Sequence, residues 1–379
     1  MEKQLGISIY PDLMSFEEIK YMIDLAKTNG YQRVFLSMIL NNLNFENAKN
    51  PDDPSFVRAI SYCKDNNLNV YVDIDLPTVD YFGGLDNTLQ YLKNIGVYCV
   101  RSDGGLDTKE LCSITTHSSD LRLQINCSDF NPVYKEDTSF DKLLDYIKEN
   151  GDLGKVEACF NFYPRMDTGL SNEDVMIRCT YMKKYGVEVS GFIASTCKPS
   201  ILHHHSIGNP TIEELRFINS YVSAKVLSLL GVDHIYFGDA FVEENELKEA
   251  RKAIEDKVID LNVIFMESVD RKIIDQICNI TLQNRVDEPQ FVIRCTDTRG
   301  IKTEAEQAKE RKYADVTIDN NLSAQYEGEI QIMLFDRLKL DCCNVIGHIE
   351  KDYQMLLPFA KQSRYQLRLI NKTIEKNHD

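Results

Sequence analysis

Apolar and polar positions follow two alternating patterns from the first residues to about residue 250. Short runs rich in β-branched and aromatic residues predict strands at 5–10, 33–38, 69–74, 96–101, 121–125, 156–160, 188–193 and 234–237. Stretches with apolar residues at helical spacing predict helices between them, at 16–27, 55–66, 85–94, 140–149, 171–185, 211–229 and 243–257. Capping residues open three of these helices: Asp53-Pro-Ser55, Ser171-Asn-Glu-Asp174 and Thr211-Ile-Glu-Glu214. Gly30, Gly96, Gly186 and Gly231 each stand just past a predicted helix and directly before a strand, where a left-handed cap costs a glycine nothing. Eight strand–helix units at a spacing of roughly 30 residues predict a (β/α)₈ TIM barrel of about 250 residues. An open doubly wound sheet shares the alternation. The barrel is preferred because the units number eight and no Gly-x-Gly-x-x-Gly follows the first strand.

From about Phe265 the pattern changes. A helix is predicted at 269–280, followed by strand runs at 291–295, 314–318, 328–334 and 344–349 with turn residues among them and no long helices between. The expected organisation is a barrel over 1–258, a small β-rich domain over 259–360 and a C-terminal tail over 361–379 that begins as a helix.

Composition narrows the class. The chain has 379 residues, 43% hydrophobic and 27% charged, enough to bury a sizeable core. Its formal net charge of −16 repels phosphate backbones and anionic lipid, so nucleic acid and membrane surfaces are not expected partners. An anionic small substrate would need a local basic pocket. The eleven cysteines form no Cys-x-x-Cys pair, no signal peptide opens the chain, and no segment approaches the roughly 20 apolar residues of a membrane span. The expectation is a cytoplasmic protein with reduced thiols.

In a TIM barrel the chemistry lies at the C-terminal ends of the strands. Those ends carry Asp12, Asp73 and Asp75, Arg101 with Asp103, Asn126 with Ser128, Asn161 and Tyr163, Ser195-Thr196 and Asp239. Paired carboxyls suit glycoside hydrolysis, which needs one proton donor and one nucleophile or base. Each has a structural alternative. Asp12 could cap the helix beginning near Ser15. Asp73 and Asp75 share one face of a strand, but Asp75 lies one pleat further out and could cap a loop. Asp103 precedes Gly104-Gly105 and could simply form a turn. An idle carboxylate inside a barrel is costly, which favours a functional Asp73. His203-His204-His205 lacks metal-ligand spacing and reads as a solvated loop. The cysteines near strand ends have no evident histidine partner and read as packing. No lysine stands at a predicted strand end, so Schiff-base chemistry has no support. In the second region Arg294, Thr296 and Arg299 end one strand and Tyr326 and Glu329 begin another, an arrangement suited to holding a phosphate or carboxylate.

Several stretches, taken in order along nearly the whole chain, resemble the bacterial 6-phospho-N-acetylmuramidases: Leu5-Gly-Ile-Ser-Ile-Tyr-Pro-Asp12, Asn161-Phe-Tyr-Pro164, Ile293-Arg-Cys-Thr-Asp-Thr298 and Tyr326-Glu-Gly-Glu329. The resemblance implies a TIM barrel followed by a cyclophilin-like β domain. It implies a glycosidase that cleaves N-acetylmuramic acid 6-phosphate–N-acetylglucosamine during cytoplasmic cell-wall recycling, with no metal or cofactor. It points to Asp12, Asp73 and Asp103 for catalysis, and to Arg101, Asn126, Asn161, Tyr163, Asp239, Arg294, Thr296, Tyr326 and Glu329 for substrate binding. Phe160, Leu215 and Asp239 depart from the family pattern, which has His, His and Asn there. Two alternatives stay open on that account: a phosphosugar-binding or regulatory barrel without turnover, and a glycosidase for another phosphorylated disaccharide. The oligomeric state is open, a homo-oligomer included.

Overall fold

The computed structural model describes residues 3–37, 54–130, 139–198, 201 and 207–372. The chain divides into two compact units, Met1–Lys252 and Ala253–Asp379.

The first unit is a closed eight-stranded parallel barrel. Its strands are β1 (Leu5–Ile9), β2 (Arg33–Ser37), β3 (Asn69–Ile74), β4 (Cys99–Ser102), β5 (Arg122–Asn126), β6 (Val156–Cys159), β7 (Glu188–Ile193) and β8 (His234–Phe237). Each lies on a predicted strand. β1 closes the ring on β8 through the pairs Leu5–Ile235 and Gly6–Tyr236. The helices follow from amphipathic stretches with capped starts: Ser15 and Glu18 form a reciprocal capping box on Phe16–Thr28, and Ser171 caps Asn172–Lys184. Gly96 and Gly231 close their helices in the left-handed conformation, at φ 108° and 105°. Asp53, expected to open the second helix, and the histidine triple lie outside the described residues.

Two short helices, Leu76–Tyr81 and Thr108–Thr116, were not expected from the pattern. The predicted helix over 211–229 is instead a 3₁₀ turn, Glu213–Leu215, followed by the helix Ser220–Leu230. Thr211 does not cap it. Its amide donates to Phe192 O and its hydroxyl to Asn161 O, which keeps the chain extended alongside β7.

The barrel's N-terminal end is sealed by a buried ion pair. Arg33 Nη1 donates to Glu157 Oε2 at 2.8 Å, and the guanidinium lies over the Tyr71 ring at 4.8 Å. Charged residues at this end of a barrel serve stability rather than chemistry.

The second unit is a seven-stranded sheet in the order β10-β15-β9-β14-β12-β13-β11. The strands are β9 (Ile259–Phe265), β10 (Leu282–Gln283), β11 (Val292–Cys295), β12 (Asp315–Asp319), β13 (Ile330–Met333), β14 (Cys343–Ile349) and β15 (Gln366–Asn371). Pairing is antiparallel except between β9 and β15. The predicted helical start of the tail is corrected here: residues 366–371 form a strand inside the sheet. Leu367 and Leu369 are fully buried while Gln366 and Arg368 are not, a period of two that the surrounding charges obscure. The helix expected at 269–280 is present as Arg271–Cys278.

Candidate functional site

The barrel mouth is a polar ring over an aromatic floor. Alternate residues of each strand point inward, and Phe35, Tyr71, Cys99, Cys159, Phe192 and Tyr236 form one buried cluster with Phe162 packed on it. Two residues further along the same inward rows come Ser37, Asp73, Arg101 and Asn161. Polar groups therefore begin where the apolar filling ends.

These groups are joined. Ser37 and Asp73 are register partners across β2 and β3, as are Asp73 and Arg101 across β3 and β4. The Ser37 hydroxyl donates to Asp73 Oδ2 at 2.6 Å. Arg101 Nη2 donates to Asn161 Oδ1, and Nη1 lies 3.2 Å from Asp103 Oδ1. Asn126 Nδ2 donates to the same Asp103 oxygen at 3.3 Å. Burial opposes the Arg101 charge, yet Cys159, Asp103 and Asp73 around it raise its pKa above the usual arginine value. The buried Nε of Arg101 has no hydrogen-bond partner among the described residues, leaving one donor unused. Ser128, on the loop after β5, ties the far side together: its hydroxyl accepts from the Asn161 amide at 2.8 Å and its amide donates to Asn126 Oδ1 at 3.0 Å. Tyr163 reaches the same Ser128 hydroxyl, and burial raises its phenol pKa. Asp73, Arg101, Asp103, Asn126, Asn161 and Tyr163 thus belong to one constellation.

Other candidates have different surroundings. Asp75 caps the helix Leu76–Tyr81, accepting from the Thr78 amide at 2.9 Å and the Thr78 hydroxyl at 2.6 Å. Asp12 is half-buried on the loop after β1 and does not cap the following helix, a position that Ser15 fills. Asp239 is buried and binds protein: its carboxylate accepts from the Ser195 amide at 2.8 Å, the Asn209 amide at 3.2 Å and Asn209 Nδ2 at 3.0 Å. It joins the loops after β7 and β8. Phe160 and Leu215 are fully buried, and Phe160 follows inward-facing Cys159, so its ring points away from the barrel axis. Burial pushes the Cys159 thiol up to about 12 and the Cys127 thiol well above its ordinary value, so neither is a ready nucleophile.

Two features were not singled out from the sequence. Asp129 stands just past Ser128, and its carboxyl pKa is raised by partial desolvation and then by the like charge of Asp103, against Arg101, which lowers it. Its only signal in the sequence is its distance of three residues from a strand end. The second is a clamp on the mouth loops. Arg216, 1% exposed, donates to Glu213 Oε2 at 2.5 Å and to the carbonyls of Tyr163 at 2.8 Å and Gly208 at 2.9 Å. Glu213 in turn accepts from the amides of Asp167 at 3.0 Å and Gly169 at 2.8 Å. A side chain at Gly169 would meet the Glu213 amide nitrogen at 2.7 Å. Arg216 draws the Glu213 carboxyl down to about 2.

In the second unit Arg294 and Arg299 share one carboxylate. Arg294 donates to Glu329 through Nε and, at 3.1 Å, through Nη2, while Arg299 donates through Nε at 2.9 Å and Nη2 at 2.6 Å. Both guanidiniums flank the Tyr326 ring, at 5.4 and 5.1 Å. Glu329 is fully buried with both oxygens engaged, so it orients the arginines rather than facing solvent. Thr296 is half-buried, and its carbonyl accepts from the Arg299 amide at 3.2 Å. Burial, with Glu329 next, pushes the nearby Asp319 carboxyl up to about 6.

Among the described residues no group of three or more His, Cys, Asp or Glu could hold a metal ion, and no helix is long and apolar enough to cross a membrane. Residues 5–252 match the family model described as 6-phospho-N-acetylmuramidase, N-terminal, and residues 259–368 match the corresponding C-terminal model. No curated protein matches the chain. Among solved structures, an uncharacterized Bacillus cereus protein is similar at TM-score 0.81 and 24% identity, covering 98% of this chain and 100% of its own. A conserved Enterococcus faecalis protein of unknown function is similar at TM-score 0.72 and 24% identity, covering 97% and 96%. At that identity the two structures speak for the fold.

Proposed function

The chain belongs to the 6-phospho-N-acetylmuramidase family and is a glycosidase, and on that premise we propose that it hydrolyses N-acetylmuramic acid 6-phosphate–N-acetylglucosamine in cytoplasmic cell-wall recycling. The observation that carries the site assignment is a buried carboxylate, Asp73, beside a buried guanidinium, Arg101, at the barrel mouth. Hydrolysis needs one carboxyl to protonate the leaving oxygen and another to attack the anomeric carbon or to activate water against it. Asp73 and Asp103 are the proposed pair, with Asp12 a third candidate. Asp129, near Asp103 and with a raised carboxyl pKa, is a further candidate for bringing the proton. Arg101, Asn126, Asn161 and Tyr163 would hold sugar hydroxyls and anionic groups. In the second unit Arg294, with Tyr326 and Thr296, is proposed as an anion contact, with Glu329 behind it. Asp239 is proposed to act on substrate only through the loops it joins.

A non-catalytic phosphosugar binder gains little support from the departures at Phe160 and Leu215. Those apolar side chains are buried, and the mouth carries carboxylates such as the buried Asp73. The test is incubation of the purified protein with the phosphorylated disaccharide and with its unphosphorylated form, followed by mass spectrometry. Release of both monosaccharides from the phosphorylated form alone is the expected result. Tight binding without cleavage would support the non-catalytic reading instead.

A further inference from the structure

We propose that Ser37 is a positioning residue that holds Asp73 as the ionised member of the carboxyl pair. The inference rests on the reading of Asp73 as catalytic and adds its protonation state and what fixes it.

Ser37 is the last residue of β2 and Asp73 stands opposite it on β3, so the ladder sets the two side chains against each other on the inward face. Ser37 is 1% exposed and Asp73 3%. Phe35 and Tyr71, one pleat below, belong to the aromatic cluster that fills the barrel beneath them. The hydroxyl proton goes to Asp73 Oδ2 at 2.6 Å, short for an O–H···O contact and in the range of a charge-assisted bond. A hydroxyl that donates to a carboxylate favours its charged form. The groups facing Asp73 from the other strands agree. Arg101 on β4 is its register neighbour and carries a fixed positive charge. Tyr10, after β1, gives its phenol proton to Gly238 O at 2.6 Å and is held neutral by burial. Asp103, a like charge, lies against that guanidinium at 3.2 Å. Ser37 also occupies one carboxylate oxygen, which fixes the rotation of the group.

An ionised Asp73 is suited to be the nucleophile or base, and the proton must come from another carboxyl. Three variants separate these roles: Ser37→Ala, Ser37→Thr and Asp73→Asn. In S37A, kcat with the phosphorylated disaccharide is expected to fall about tenfold or more, the size of losing a hydrogen bond to a charged group, with KM within about twofold. The acidic limb of kcat/KM is expected to move up by about one pH unit, while the basic limb stays in place. S37T keeps the hydroxyl and is expected to restore both. A substrate-independent readout uses ¹³C-carboxyl NMR, with the Asp73 signal assigned by its loss in D73N: it is expected to titrate at higher pH in S37A than in wild type. An unmoved Asp73 titration, or a shift of the basic limb instead, overturns the proposal. Wild-type turnover in D73N overturns the underlying reading of Asp73, which the NMR result does not depend on.

Discussion

Asp73 owes its position to one pleat: two residues back along β3 the same row carries Tyr71 and packs the barrel, and two residues on Asp75 has left the strand to cap a helix. The sequence pattern distinguishes these roles as far as the alternation goes, because strand parity is a property of neighbours along the chain. It does not reveal that Arg101 and Asn161, sixty residues apart, share a hydrogen bond. Nor does it reveal that Glu329 is spent on two arginines, since such partners are chosen by the fold. Asp73→Asn is expected to lower turnover by about 10²-fold or more with the circular dichroism spectrum unchanged, the loss usual for a missing acid–base group. Glu213 carries a different prediction. Its carboxyl is depressed to about 2 by Arg216, so the clamp's contribution is fully present above the ordinary value of 4.5 and is lost as pH falls through about 2. Melting temperature followed from pH 6 to 2 is therefore expected to fall less steeply in Glu213→Gln than in wild type. Arg216→Met is expected to cost about 2 kcal/mol at neutral pH, below the usual figure for a broken buried pair because Glu213 is 25% exposed. A thermal melt checks it.

All eight barrel strands are legible because each is a short apolar run set off by amphipathic helices, four of which end in a glycine directly before the next strand. Helix Leu76–Tyr81 is not, since six residues starting with a proline at its second position give no helical period. β9 was missed because Ile259–Phe265 places Asp260 and Asn262 between apolar residues directly after a charged helix. β15 was read as helix for a similar reason, its alternating leucines set among basic residues. In each case pairing partners far along the chain decide the conformation and local preference does not. Gly6 shows an element exploiting a missing side chain. A Cβ there would lie 2.3 Å from the Tyr236 ring, which fills the barrel beside β1. Gly6→Ala is expected to destabilise the barrel by roughly 1–3 kcal/mol through overpacking, measurable by denaturant titration, while replacement of solvent-facing Gly186, with nothing within 4 Å, involves no such clash.

At the scale of the molecule the formal charge of −16 stands against the anionic substrate proposed for it. Encounter between like charges is slowed at low ionic strength and relieved as salt screens the field over about 10 Å at 0.1 M. Accordingly kcat/KM is expected to rise between about 10 and 100 mM salt, whereas a site whose arginines dominate the approach gives the opposite slope.

The parallel pairing of β9 with β15 also matters for how the chain is made. The strand that opens the second sheet, at 259, waits for the one that ends at 371. At ordinary translation rates of 5–20 residues per second that interval lasts on the order of ten seconds. Throughout it Ile259, Leu261, Val263 and Phe265, all buried in the finished sheet, have no complete surface to pack on. The first unit has all eight of its strands on hand by residue 237 and can close while the ribosome is still at work. Nascent chains arrested at 365 are therefore expected to carry a protease-resistant barrel and a protease-sensitive remainder, which becomes resistant only in chains long enough to include β15. During that interval the nascent second unit would be a target for cotranslational chaperones.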